Sequence, residues 1–185
     1  LAADGRAVDD GVVVGGFGQG LEKEHDAWEG MDRVALGRIR IEEASLGPAS
    51  ARIVAVLAAA YQPAAGVTMF RRELTFDAPD RFHVRDRIET AEERRFEWFL
   101  HAERPLSVDG MAFHLDQRDL AGRVLGPAEA RLRTGPTILT APGQPGSIEQ
   151  GREDQRGFEL VIESAGRAVN FHVAFTVKAA TGSER

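Results

Sequence analysis

Two neighbouring stretches, Val67 to Phe76 and Arg81 to Ile88, alternate apolar and polar residues, and each sets a single charge on its apolar face. Phe70, Arg72, Leu74 and Phe76 share a side in the first; Phe82, Val84, Asp86 and Ile88 do so in the second. Successive side chains of a strand point to opposite faces, so a period of two describes a ribbon with one face in a core. If Ala78-Pro79-Asp80 is the connecting loop, the cross-strand partners are Phe76 with Phe82, Leu74 with Val84, Arg72 with Asp86 and Phe70 with Ile88. The two misplaced charges then meet. An unpaired ion on a core face is costly, whereas a bidentate guanidinium and carboxylate pair offsets much of its own desolvation. The register therefore predicts a buried Arg72 to Asp86 ion pair.

The same period recurs from residue 33 onward, in runs broken by Gly, Pro, Asp and Ala, and predicts an all-β fold: a multistranded antiparallel β-sandwich with meander hairpins. Val169, Phe171, Val173, Phe175 and Val177 point one way, with Asn170, His172, Ala174 and Thr176 on the other face. Phe158, Leu160 and Ile162 precede them, and Ser164-Ala165-Gly166-Arg167 is expected to reverse the chain into a hairpin. Arg95 to Glu103 is expected to continue the meander, with Phe96, Trp98, Leu100 and Ala102 inward and Glu97, Phe99 and His101 outward. Further strands are expected at Val34 to Glu43, Arg52 to Tyr61, Met111 to Asp116 and Ala130 to Arg133, with a long loop or lid from Pro136 to Gly151. Only Leu21 to Glu29 suits a short helix. Three parts result: an N-terminal extension with one short strand over 1–32, the sandwich over 33–178, and a disordered tail over 179–185.

Composition narrows the function. The 185 residues suit one domain with a sizeable core, and 43% hydrophobic with 28% charged residues is an ordinary globular balance. A net charge of −6, with basic residues scattered among acidic ones, argues against nucleic acid and anionic lipid as partners. No cysteine is present, which excludes disulfides, thiolate catalysis and Cys-ligated zinc. The longest apolar run, Ile53 to Tyr61, is about half the ~20 residues a membrane helix needs. The chain opens on Leu1 without a signal-peptide pattern, so residue 1 is expected to be a cut or processing point in a longer polypeptide. Of 23 basic residues only Lys23 and Lys178 are lysines, a bias that fits a GC-rich bacterial genome.

Few residues point to chemistry. Gly15-Gly16-Phe17-Gly18-Gln19-Gly20 follows Val12 to Val14, yet its spacing matches neither a dinucleotide fingerprint nor a P-loop, so a glycine-permitted turn is expected. No pair among the five histidines has the spacing of a helix-borne or finger-type metal site, and His25 with Asp26 reads as a loop. On the meander register His83 and His101 lie opposite one another on the non-core face, beside Arg71, Arg85, Arg87 and Phe99. Those six residues are the candidate substrate-binding surface: arginines and an aromatic suit the carboxylates and ring faces of an acidic polysaccharide. A solvated sheet face laced with Glu73, Glu97 and Glu103, or one covered by a neighbouring domain, is the plainer reading, because charged sheet faces are common. Tyr61 could act as an acid or base, but a core-edge tyrosine with a tethered hydroxyl is the stronger expectation.

Gly11-Val-Val-Val-Gly-Gly-Phe-Gly-Gln19, Ala58-Ala-Ala-Tyr61, Phe70-Arg-Arg-Glu-Leu74, Phe82-His-Val-Arg-Asp86 and Phe99-Leu-His-Ala102 follow one another in order. Together they resemble the C-terminal β domain of heparinase II/III-type polysaccharide lyases, from about residue 8 to about residue 177. The resemblance implies a sandwich packed against an α-helical toroid, with a cleft between them that cleaves uronate-containing glycans by β-elimination. A base removes the proton alpha to the carboxylate, and a tyrosine or histidine protonates the leaving oxygen. In the family these groups lie mostly on the toroid and at the start of the β domain, so no catalytic residue is carried over. Tyr61, Arg71, Asp86 and His101 match positions that look structural in the family. A structural zinc is possible in the family, but Asp9-Asp10 stands where a ligand histidine normally precedes the first strand, and no cofactor or metal ligand is assigned.

The resulting expectation is a non-catalytic β-sandwich portion of a polysaccharide lyase, partnered by the toroid and an acidic polysaccharide, in a periplasmic or secreted setting. A free-standing carbohydrate-binding or interaction module is the alternative, and a complete small hydrolase a third possibility. Loss of the toroid would leave an apolar patch and so a possible homodimer.

Overall fold

The computed structural model describes residues 11–19, 37–115, 120–138 and 156–177. Among these, ten strands form one antiparallel sheet: β1 (Val12–Val14), β2 (Arg40–Leu46), β3 (Ser50–Val56), β4 (Val67–Asp77), β5 (Arg81–Ala102), β6 (Leu106–Asp109), β7 (Ala112–Leu115), β8 (Leu120–Gly126), β9 (Arg131–Ile138) and β10 (Arg156–Val177). The main order is β2-β3-β4-β5-β10-β8-β7-β6, with β1 beside β5 and β9 beside β10.

The architecture follows from two very long strands. β5 and β10 each run for 22 residues and pair from Phe158 opposite Ala102 to Thr176 opposite Arg81. Their two halves have different outer neighbours. The first half of β5 pairs with β4 and the second with β1; the first half of β10 pairs with β9 and the second with β8. One ribbon thus belongs to a wide layer, β2-β3-β4-β5-β10-β8-β7-β6, and to a narrow one, β1-β5-β10-β9. The layers face each other. Twelve residues of extended strand span about 40 Å, yet Trp98 Nε1 donates to Asp86 Oδ2 on the same strand at 3.1 Å. The ribbon is folded over on itself, and β6 lies against β9 at the side.

The crease sits where the sequence loses its apolar period. The register shifts between Gly166 and Ala168, and Gly166 has φ 145, a conformation open mainly to glycine. Thr90, 7% exposed, ties the bend by sharing its one hydroxyl proton between Glu92 O at 2.7 Å and Arg167 O at 3.2 Å.

Between the layers lies one core, containing Val12, Val14, Phe70, Ile88, Phe96, Trp98, Phe113, Leu160, Ile162 and Phe171. The expected inward sets on β4, β5 and β10 all contribute to it. The β4–β5 register is the anticipated one, including Phe76 with Phe82, Leu74 with Val84 and Phe70 with Ile88. Arg72 stands opposite Asp86 and grips it in a bidentate pair, Nε to Oδ1 and Nη2 to Oδ2 both 2.7 Å. Asp86 is 1% exposed.

Two expectations need correction. Ser164 to Arg167 does not reverse the chain: residues 156–163 and 169–177 are one strand, because both segments find their partner in β5 rather than in each other. Nor does Arg95 to Glu103 begin a new meander strand. It continues β5 past the crease, which turns the strand out of the plane of the wide layer instead of back alongside it. Boundaries also move. β2 runs to Leu46, β3 ends at Val56 with a short 3-10 turn at Ala58–Ala60, and Pro136 to Ile138 belong to β9 rather than to a loop. β6 and β8 had no expected counterpart. The helix at Leu21 to Glu29, His25 with Asp26, the remainder of the Pro136 to Gly151 loop and the tail at 179–185 lie outside the described residues.

The glycine run does form a turn. Val14 and Phe17 exchange backbone hydrogen bonds, and Gly15 and Gly16 between them have φ 59 and 89, as a primed hairpin turn requires. Tyr61 is buried at the core edge, with its hydroxyl donating to Val12 O at 2.6 Å. That bond fastens β1 to the 3-10 turn after β3. Tyr61→Phe leaves the Val12 carbonyl short of a partner and is expected to cost about 1 kcal/mol, read as a lower urea midpoint with an unchanged slope.

Candidate functional site

Strand parity sorts the six candidate residues onto two separate surfaces. Arg71 on β4 and His83, Arg85 and Arg87 on β5 lie on the outer face of the wide layer, since Arg72, Val84 and Asp86 face inward. Asn170 and His172 of β10 complete this face, opposite Arg87 and Arg85. A shallow groove of about 390 Å³ runs between Arg71, Glu73, Arg85, Arg87, Asn170 and His172.

Phe99 and His101 belong to the outer face of the narrow layer. Their rings stack at 5.9 Å and 14°, and Phe99 packs with Val13 and Val161. The expected facing of His83 and His101 is therefore wrong. His83 stands beside Thr75 and Ala174, and His101 beside Glu159. The crease carries residues 96–102 to the opposite side of the sandwich, so the six residues do not form one surface.

The histidine that does meet His83 is His172, whose Nε2 lies 3.1 Å from His83 Nδ1. Arg85 Nε also points at His172 Nε2, 3.4 Å away. A guanidinium only donates, so that nitrogen of His172 is the acceptor and His83 Nδ1 carries the shared proton. Burial, then the charges of Arg85 and His83, hold His172 below its ordinary 6.5, against a smaller opposing pull from Glu73.

Carboxylates already answer the arginines of this groove. Arg71 meets Glu42 at 3.3 Å, Arg85 meets Glu73 at 2.9 Å and Arg87 meets Glu89 at 2.8 Å. Glu73 also accepts from Arg52 at 2.6 Å, and that bond, joined by Arg85, keeps its carboxyl below the ordinary 4.5 against the pull of burial. Such exposed pairs contribute little to stability but leave the face close to electrical balance.

A second charged group lies on the narrow layer. Glu97, 2% exposed, meets Arg95 at 3.1 Å and Arg133 at 3.6 Å, while Arg133 also holds Glu159 and Glu163 at 2.9 and 3.0 Å. Burial pushes the Glu163 carboxyl up, but the hydrogen bonds from Arg133 and Arg95 outweigh it and leave it below 4.5. Sequence reasoning missed both this clamp and the histidine pair, because each needs β10 beside its true neighbours.

The depressed groups fix a pH dependence. A group whose folded pKa lies below its unfolded value binds more protons when unfolded, so it stabilises the fold above the unfolded pKa and stops doing so as pH falls. Stability is expected to drop first as pH falls through 6.5 toward the folded value of His172, and again below 4.5 as Glu73 and Glu163 are forced to protonate. His172→Asn should flatten the first step and spare the second, measured as denaturation midpoints across that range.

No family model matches the sequence, and no curated protein matches it. Solved structures do. Heparan sulfate lyase HepC from Pedobacter heparinus superposes with a TM-score of 0.59 at 13% identity, over 78% of this chain and 22% of that one. A heparinase III with methylated lysines gives 0.61 at 10%, over 77% and 22%. Another heparinase III gives 0.55 at 11%, again over 77% and 22%. The chain has a heparinase-type β-sandwich fold. At these identities the likeness is one of fold, and the chain spans about a fifth of the length of each of those proteins. The order of motifs from Gly11 to Ala102 thus falls on strands and turns of a fold these lyases share. Arg72 and Asp86, within two of those motifs, pair across β4 and β5 on the inner face of the wide layer, and Asp86 ties that layer to the narrow one through Trp98.

Proposed function

We propose that this chain is the non-catalytic β-sandwich portion of a heparinase II/III-like polysaccharide lyase, whose parent protein cleaves uronate-containing glycans by β-elimination. Its role is to brace an α-helical toroid and to supply one wall of the cleft for an acidic polysaccharide. One observation carries the reading: the wide layer has more strands than the narrow layer can cover. On the core-facing side of β2 to β5, Ile41 is 65% exposed, Leu46 77%, Leu74 41% and Phe82 40%. These continue the rows of the core: Leu46, Ala51, Phe76 and Phe82 are successive cross-strand partners, as are Ala44, Ile53, Leu74 and Val84. Apolar rows that run out of a core into solvent mark a surface meant to be covered. A helical domain of the same polypeptide is the proposed cover.

The tethered hydroxyl of Tyr61 also favours a supporting role. Its proton is engaged by Val12 O at the core edge, and Tyr61 does not line the groove between Arg71 and His172. Incubation of the purified chain with uronate polymers should produce no rise in unsaturated-product absorbance, and robust turnover would overturn the non-catalytic assignment. Coexpression with the helical region of the parent polypeptide should protect β2 and β4 amides from hydrogen exchange. Protection should fail in Ile41→Asp and Leu46→Asp; unchanged exchange in the native chain would remove the proposed cover.

A further inference from the structure

The His83 and His172 rings approach one another on the outer face of the wide layer, tilted by 42° with centroids 5.4 Å apart. Their facing nitrogens are 3.1 Å apart. Two imidazoles bound to one zinc ion at about 2.0–2.1 Å have nitrogens about 2.9 Å apart at a right angle and about 3.4 Å apart at the tetrahedral angle. The observed separation lies between these limits. The two residues sit on adjacent strands, β5 and β10, paired in fixed register on either side of them, so the bite is set by the sheet rather than by a loop. Sites on rigid elements hold ligand geometry more tightly than sites on loops.

We propose that His83 Nδ1 and His172 Nε2 chelate a borderline divalent transition ion such as Zn2+, Ni2+ or Cu2+, with the remaining positions open to water or a small ligand. Imidazole nitrogens select this class over magnesium or calcium, which prefer oxygen. Binding requires His83 to move its proton to Nε2, so that both facing nitrogens present lone pairs, and the rings to turn until those lone pairs converge on an ion beside the line joining them, since a 3.1 Å gap is too short to hold the ion between them. Arg85 is the built-in opponent. Its guanidinium donates to Glu73 at 2.9 Å and points at His172 Nε2, and its side chain is 54% exposed, so it can swing outward as the ion enters. His101, on the narrow layer, is not part of this pair, and the site is independent of the apolar rows and of the supporting role proposed above.

The test titrates the full chain with Zn2+, Ni2+ and Cu2+ by calorimetry, with Cu2+ spin resonance to count coordinated nitrogens. One saturable site with two imidazole nitrogens is expected. Loss of an outer-shell partner alone weakens metal sites by about 10–100-fold, so removal of a ligand in His83→Ala or His172→Ala should weaken binding by at least about tenfold. Arg85→Gln should strengthen it by relieving charge repulsion, a gain that a general loss of folding cannot produce. Absence of a saturable site, or affinity unchanged in both histidine variants, would overturn the proposal.

Discussion

Arg72→Met is expected to destabilise the fold by about 3 kcal/mol or more, because it leaves a carboxylate buried without its counterion. The Asp86 side chain is 0% exposed, whereas that of Arg72 is 20% exposed. The pair should therefore respond unequally. In Asp86→Ala the guanidinium can turn toward water, and the main loss is the orphaned Trp98 N–H with the lost packing, about 1–3 kcal/mol. Arg72→Met combined with Asp86→Leu removes both charges and should cost less than Arg72→Met alone. Chemical denaturation of the four proteins checks the order. Equal losses for the two single variants would mean that Asp86 draws most of its support from Trp98 Nε1, not from the guanidinium.

Gly122→Ala is expected to cost about 1–3 kcal/mol although it adds one methyl group, because that group has nowhere to go. A Cβ at this position would lie 2.6 Å from Cε2 of Phe113 and closer still to Cζ. The Phe113 ring is 1% exposed and meets Phe175 edge-on at 5.7 Å, so it cannot retreat without disturbing the inner face of β10. A smaller neighbour should relieve the overlap. Gly122→Ala with Phe113→Leu is expected to cost less than the sum of the two single changes, and strict additivity in thermal melts would show that the ring was never the obstacle.

Legibility followed the range of the interactions. The β4–β5 hairpin could be read because its two charged exceptions, Arg72 and Asp86, had one register that satisfied both across a short loop. Tyr61 and the Gly15-Gly16 turn were equally local in their logic: a polar tip needing a partner, and two residues free to take positive φ. What escaped was pairing at long separation. Nothing in the alternation of Phe158 to Ile162 or Val169 to Val177 says that both belong beside β5 rather than beside each other, and Gly166 fits a tight turn as readily as a bulge. β8 was missed because Gly122 and Gly126 weaken its apparent strand character; at least Gly122 is glycine for the sake of the Phe113 ring. The candidate groove was half legible. Arg71, Arg85 and Arg87 follow from parity on β4 and β5, but His172 joins them only once β10 is known to lie alongside, and His101 leaves once the crease is known.

That crease also governs how the molecule comes together. Because β5 and β10 serve both layers, neither layer can be assembled while the other waits as an independent unit, and residues 56 (Phe158 and Ala102) to 95 (Thr176 and Arg81) positions apart must meet before most of the core has anywhere to form. Chains dominated by such distant pairings fold over milliseconds to seconds and traverse a high loop-closure barrier. Loss of the molecule should likewise be a single event, with both halves of the doubled ribbon releasing their amide protons to solvent in step.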